Sequence, residues 1–463
     1  MTGLATSNNL NEYLDILGQQ PLLKMYTQIC FCFPVDDDSL HLAIVKTLTN
    51  GLKRLAVGFP WLAGQVINEG ASEGNSGLFK IIPWEKVPRL VVKDLRDDPS
   101  APTMDGLRKA NFPFSMLDED IIAPRRTLPG SPKEATEPAL VFIVQANFIT
   151  GGLILTINGQ HGTMDMTGQG QVMDLFSKAC RNEPFTTEEL RISNLPRHNL
   201  IPFLDATHDP TPCLAHQIIP PSLLDPPSPE GPATAPTPAT WVYYTFPAAS
   251  LTALKTHATQ TKPSDTPFIS TDDALTALLW QSVARARLGR LGPARSTTLA
   301  RAIDVRRHLS IPATYPGVVQ NMTYHSSALG TLAVEPLGVV AARLREAVEP
   351  GTSELALRTR QLATLMLRAA DKARVSVAAA ILPAADLMLS SWARLDCYEL
   401  DFGLGLGAPE AVRRPRFEAV EGLVYFMPRA RDGAVAVGLC LSDEDLGRFG
   451  ADVEAGSYGV SIG

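Results

Sequence analysis

No stretch of this chain reaches the ~18 uninterrupted apolar residues that a helix needs to cross a bilayer, so no membrane-spanning helix is expected. An excess of basic charge is missing too, the formal net charge being −7. Attraction to nucleic acid or to an anionic membrane depends on Lys and Arg neutralising phosphates, so neither is expected as a partner. Cysteine is scarce: six residues, with no C-x-x-C pair. That usage points to reduced thiols and no metal site. The first twenty residues lack a basic segment followed by an apolar one. A secretory signal is therefore not expected, and the chain reads as cytoplasmic. Several catalytic signatures are also absent: no G-x-S-x-G elbow, no H-E-x-x-H pair, no Walker A loop, and no G-x-G-x-x-G after a strand. Serine-nucleophile, zinc-hydrolase, P-loop and dinucleotide chemistries are set aside on those grounds.

What is present is globular. Of 463 residues, 45% are hydrophobic and 19% charged, a length that suggests roughly two or three domains. The sharpest change in composition is a run of ten prolines between Pro210 and Pro238. Proline cannot donate within a helix or a central sheet, so 206–240 reads as a crossover between one domain at 1–205 and another at 241–463. A smaller Pro-rich interruption at 128–138 reads as a surface loop. Apolar spacing predicts helices over 39–55 and from His161 to about Arg181, the latter through Val172, Leu175, Phe176 and Ala179. The runs 139–149 and 152–158 read as a hairpin turning at Thr150-Gly151. In the second half, Ser270 caps a predicted helix through Leu275, Leu278, Leu279 and Val283. Strands follow at 422–427 and 434–441, and then an acidic helix start at Ser442. Strands and helices in both halves predict a mixed α/β architecture with sheets in each.

Where the apolar run 152–158 ends, Asn158-Gly159-Gln160 can turn sharply, and His161 follows with Asp165 four residues on. An H-x-x-x-D match alone is weak, since roughly half a match arises by chance in a chain with eight histidines. Its context is stronger. A strand end followed by a tight turn projects a side chain rigidly into a cleft, and Gly162 leaves room beside the ring. An imidazole there is a candidate general base. With the other chemistries set aside, what survives is base-assisted attack of a hydroxyl on an activated acyl group.

At these residues the chain resembles the BAHD acyltransferases, which pair H-x-x-x-D with D-F-G-W-G; here the second motif is Asp401-Phe402-Gly403-Leu404-Gly405. It is most similar to the branch of fungal trichothecene 3-O-acetyltransferases. The match runs through Gln160-His161-Gly162-Thr163-Met164-Asp165-Met166, Leu175-Phe176-Ser177-Lys178-Ala179-Cys180-Arg181-Asn182 and Gln320-Asn321-Met322-Thr323-Tyr324-His325. It continues through Leu389-Ser390-Ser391-Trp392-Ala393 and the Gly-rich 401–407. Nearly the whole chain is covered, the Pro-rich crossover least well.

The resemblance implies two domains of chloramphenicol-acetyltransferase type with a channel at their interface. It implies acetyl-CoA as co-substrate, no metal, and a small-molecule alcohol as acceptor, the C3 hydroxyl of a trichothecene, in self-protection or detoxification. A monomer is expected. Carried over residue by residue, His161 would be the base, Asp165 an anchor paired with Arg306, and Asp401 a structural carboxylate paired with an arginine. Leu404 stands where most of the family has Trp, so the oxyanion needs another donor. Asn321, Ser391 and Trp392 are the candidates by position. Ser270 to Asp273 reads as a helix cap whose N-terminus offers a second use, receiving a phosphate of the co-substrate. Arg413-Arg414-Pro415-Arg416 reads as a surface charge run before a contact to the co-substrate's 3′-phosphate. Two alternatives stay open: a relative acylating another alcohol or an amine, and a non-catalytic binding protein of the same fold.

Overall fold

The computed structural model describes residues 11–130, 136–220 and 238–462. Residues 1–10, 131–135 of the 128–138 loop, 221–237 of the Pro-rich crossover and 463 lie outside the described residues.

Three sheets organise the described residues. The first has five strands, ordered Ala411–Arg413, Tyr26–Pro34, Gly152–Gln160, Phe142–Ile149 and Arg89–Asp94. Its Phe142–Ile149 and Gly152–Gln160 strands form the expected hairpin, with Ile149 opposite Gly152. Every residue of both strands is buried, because the helices His41–Gly58 and Met166–Cys180 pack with this sheet in one core and Met104, Leu107, Leu117 and Ile122 pack on Ile149 and Ile154 in a second. Cys30 and Cys32 fall on the same side of their strand and are fully buried as packing residues.

The second sheet has seven strands, ordered Gln320–Ala328, Ser296–Asp304, Leu387–Ser391, Leu423–Phe426, Val435–Ser442, Ala239–Phe246 and Val460–Ser461. Parallel pairing holds its middle together, the Leu387–Ser391 strand running parallel to both neighbours, while its outer pairs are antiparallel. A helix at Thr271–Leu291 is buried along most of its length against it. A four-stranded sheet of short segments completes the set. The architecture is mixed α/β, as expected.

Three details depart from the sequence reading. The helix expected over 39–55 opens with a short 3-10 turn, Asp38–Leu40, before the α-helix His41–Gly58. The Ala411–Arg413 strand crosses from the second half of the chain to pair with Tyr26–Pro34 in the first sheet. That crossing overturns the surface reading of the arginine run, because it carries Arg413 and Arg414 inside, where both are buried. Only Arg416 keeps a surface role, pairing with Asp118.

Candidate active site

The Gly152–Gln160 strand pairs with Tyr26–Pro34 as far as Gln160 opposite Tyr26. The next residue is His161, whose backbone N–H still reaches Met25 O at 2.8 Å. That last bond holds the chain at the sheet edge while the ring leaves it. Ring Nδ1 lies 3.2 Å from the carbonyl oxygen of Met164. A carbonyl only accepts, so Nδ1 carries the proton and the lone pair of the neutral ring sits on Nε2. Burial pushes the imidazole below its ordinary pKa and outweighs the Met164 bond and the charge of Asp165, which pull upward; the charge of Arg414 pushes it further down.

Asp165 does not hold the ring. It caps the Met166–Cys180 helix, with Oδ1 accepting the Gly168 N–H at 2.8 Å. Arg306 donates to both its oxygens at 3.0 Å, and the Val319 N–H donates at 2.7 Å. Arg306 is itself completed by Asp304 and by the carbonyls of Tyr315 and Gly317. A carboxylate this buried costs several kcal/mol unless each oxygen is matched, and here both are. Gly168 makes the close approach possible, since a Cβ there would lie 2.0 Å from Pro316 O. The result is a rigid joint between the turn that carries His161 and the segment 315–319 of the other half.

His161 forms part of the wall of a cavity of about 240 Å³. Met25, Thr27 and Met166 line it from the first half, and Met322, Ser390 and Tyr425 from the second. The lining is mostly apolar with a few polar groups, the usual make-up of a small-molecule site. A more open hollow of about 830 Å³, bordered by Asp118, Asp120 and Arg416, does not include His161.

Strand parity decides which of the other expected residues reach the cavity. Side chains alternate across a strand, so Met388 and Ser390 share one side; both line the cavity, as do Leu389 between them and Trp392 just past the strand end. Ser391 points the other way and bonds Asp272 Oδ2 at 2.5 Å. Gln320 and Met322 likewise line the cavity, whereas Asn321 between them bonds Thr359 Oγ1 at 3.0 Å. Ser391 and Asn321, the oxyanion donors expected by position, are thus bonded away from the cavity, each by a single residue of register. Trp392 lies at the cavity, but its Nε1–H is committed to Ser390 Oγ at 3.0 Å. Ser270 forms a capping box with Asp273 and does not line the cavity. Asp401 pairs with Arg181 at 3.5 Å and accepts the Gly403 N–H at 2.9 Å. Its neighbour Phe402 is fully buried, edge-on to Phe31 with ring centroids 5.3 Å apart. No residue of the 401–407 loop reaches the cavity wall.

The residue that sequence reasoning misplaced, as part of a surface charge run, is Arg414. It lines the cavity with His161, donates to Thr127 Oγ1 at 3.2 Å, and stacks on Phe417 at 4.4 Å and Tyr425 at 4.8 Å. Among the described residues it has no carboxylate partner within 4.0 Å. The signal was available: Ala411, Val412 and Phe417 bracket the run with strand-forming apolar residues. Among the described residues no cluster of His, Cys, Asp and Glu could hold a metal ion, and no helix is long and apolar enough to cross a membrane.

Residues 127–456 match the Transferase family, and residues 25–180 match the Trichothecene 3-O-acetyltransferase-like N-terminal domain. The chain belongs to this BAHD-type Transferase family, and by class it is an O-acyltransferase. It is 53% identical over 462 residues to O-acetyltransferase dmxR13 of Cryptosporiopsis sp., with 100% of both chains covered. To trichothecene 3-O-acetyltransferase TRI101 of Fusarium sporotrichioides it is 51% identical, over 100% of this chain and 99% of that one. Its fold matches the crystal structure of F. graminearum TRI101 complexed with coenzyme A and T-2 mycotoxin, with a TM-score of 0.92. That match is at 48% identity and covers 98% of this chain and 100% of the other.

Proposed function

We propose that this protein transfers the acetyl group of acetyl-CoA to the C3 hydroxyl of a trichothecene, with His161 as general base. The observation that carries the mechanism is the Met164 carbonyl on Nδ1, which leaves the Nε2 lone pair as the ring's only basic site. In the reaction Nε2 takes the hydroxyl proton as the alcohol oxygen bonds to the thioester carbonyl carbon. The tetrahedral adduct collapses as its C–S bond breaks, and His161 returns the proton to the departing sulfur. Base catalysis of this kind is worth ~10²–10⁴-fold. A ring held neutral by burial is available for it near neutral pH. Asp165 and Arg306 anchor the turn, Asp401 anchors its own loop, and 1–205 and 241–463 act as two lobes joined by the 206–240 crossover. The setting we propose is the cytoplasm, with self-protection or detoxification as the role.

The acceptor rests on relatives: the TRI101 structures hold coenzyme A with T-2 or deoxynivalenol. A second acceptor stays open, since the relative at 53% identity is an O-acetyltransferase, dmxR13. Initial rates of CoA release with deoxynivalenol, with unrelated secondary alcohols and phenols, and with an amine separate the two readings. Deoxynivalenol preferred by kcat/KM supports the first, and turnover confined to the others replaces it. A binding protein without catalysis would show no turnover that His161→Ala could remove.

A further inference from the structure

Asp165 and Arg306 fix the far end of the turn that carries His161, and the Met25 carbonyl fixes its near end. The middle of the turn, Gly162 and Thr163, is gripped from another direction. The Thr163 carbonyl accepts a bond of 2.6 Å from Arg197 Nη1. That same nitrogen donates to Asp15 Oδ2 at 3.1 Å. Asp15 stands at the start of the 3-10 turn Ile16–Gln19 but makes no capping bond to it. Its carboxylate is used elsewhere: Oδ2 also accepts the Val318 N–H at 3.0 Å, and Oδ1 accepts the Tyr315 hydroxyl at 2.5 Å. Asp15, Arg197 and Tyr315 are all buried. Desolvation offsets most of the attraction in such a buried pair, so stability alone does not account for it.

Packing repeats the pattern. A Cβ on Gly18 would lie 2.1 Å from Gly162 O, and one on Gly317 would lie 2.3 Å from Asp15 Oδ2. The 15–18 segment therefore presses on the residue after His161, and Gly317 presses on Asp15, each with room only for glycine. Arg197 is itself held. Its guanidinium lies over the Trp61 indole at 4.3 Å, and its backbone N–H donates to Glu12 Oε1 at 3.0 Å. Two carboxylates thus share the 315–319 segment, Asp15 taking the Val318 N–H and Asp165 the Val319 N–H.

We infer that the Asp15–Arg197 pair is a second clamp on the turn, and that Arg197 is a positioning residue for His161. This rests on the reading of His161 as the base. Arg197 does not line the cavity and acts through the backbone. Holding the Thr163 oxygen fixes the plane of the peptide between Thr163 and Met164. The next carbonyl, that of Met164, is the one that takes the Nδ1 proton. With the clamp in place Nδ1 keeps its proton and Nε2 keeps the lone pair. Released, the Met164 carbonyl swings away from the ring, and the neutral imidazole populates both tautomers.

The test joins kinetics to the ring's own signal, in the full chain with acetyl-CoA and deoxynivalenol. Arg197→Gln, Arg197→Lys and Asp15→Asn are compared with wild type. NMR of isotope-labelled histidine nitrogens reports the His161 tautomer, its peak assigned by its loss in His161→Ala. Misplacing a reacting group by ~1 Å costs ~10²-fold, and a fall in kcat of that order, with both KM values within ~3-fold, is expected of Arg197→Gln. Its His161 signal should change from the Nδ1-protonated form to a mixture. Arg197→Lys keeps the charge and a donor and should restore at least ~5-fold of the lost kcat. Asp15→Asn should move kcat and the tautomer signal in the same direction by a smaller amount. A folded Arg197→Gln with kcat within ~3-fold of wild type, or with a loss confined to KM, overturns the clamp. A fall in kcat with the wild-type tautomer signal overturns it too, since that marks general loosening. Should Arg197→Gln not fold, Asp15→Asn decides by the same two readouts. Failure of the base reading looks different: His161→Ala would keep turnover while the tautomer signal of Arg197→Gln still shifts.

Discussion

The two motif aspartates occupy opposite environments. Asp165 is 2% exposed and receives four hydrogen bonds, two of them from Arg306. The side chain of Asp401 is 47% exposed and meets Arg181 at 3.5 Å. In sequence both read alike, as an aspartate in a signature motif that pairs with an arginine. In the structure one is the sealed joint beneath the candidate base and the other closes a surface loop whose weight is borne by Phe402. Burial sets how much a carboxylate matters, because an exposed pair is solvated and screened while a buried one must be matched group by group.

The comparison can be broken in four ways, from the largest expected effect to the smallest. His161→Ala should lower kcat/KM by ~10²–10⁴-fold while leaving the thermal midpoint near that of wild type, since the ring makes one hydrogen bond. Asp165→Ala should cost ~3–5 kcal/mol of stability, read by urea unfolding, because it strands the Arg306 guanidinium without its main partner. Loss of rate in a well-folded Asp165 variant, with the pH optimum displaced, would instead make Asp165 part of the chemistry. The third test concerns pH. Because burial favours the neutral ring, the acid limb of kcat/KM should lie below 6.5, where protonation of Nε2 removes the base. The same group subtracts stability as pH falls below 6.5, since the unfolded chain then binds a proton that the folded one refuses. Arg414→Gln removes a charge that pushes in the same direction, so its acid limb should move up toward 6.5. The smallest effect is expected of Asp401→Asn, within ~1 kcal/mol in stability and with kcat unchanged.

Much of this molecule is legible from residues alone, and the rest fails for identifiable reasons. The 152–158 run and the spacing of Val172, Leu175, Phe176 and Ala179 placed His161 between a strand and a helix, because hydrophobic periodicity reports local structure directly. The capping role of Ser270 was equally clear, a serine before an acidic third position being a local signal. Parity was harder. Ser390 and Ser391 are indistinguishable until the strand's register is known, and a shift of one residue exchanges the cavity for the Asp272 contact. Arg414 was misread for the reverse reason. A cluster of three arginines looks solvated, and only the crossing of the Ala411–Arg413 strand into the other sheet shows that two of them are interior.

One assay bears on the central claim most directly: the initial rate of acetyl transfer from acetyl-CoA to deoxynivalenol by wild type and His161→Ala at matched, verified fold. The account predicts that the variant falls by ~10²-fold or more. A variant that acetylates at the wild-type rate would contradict it.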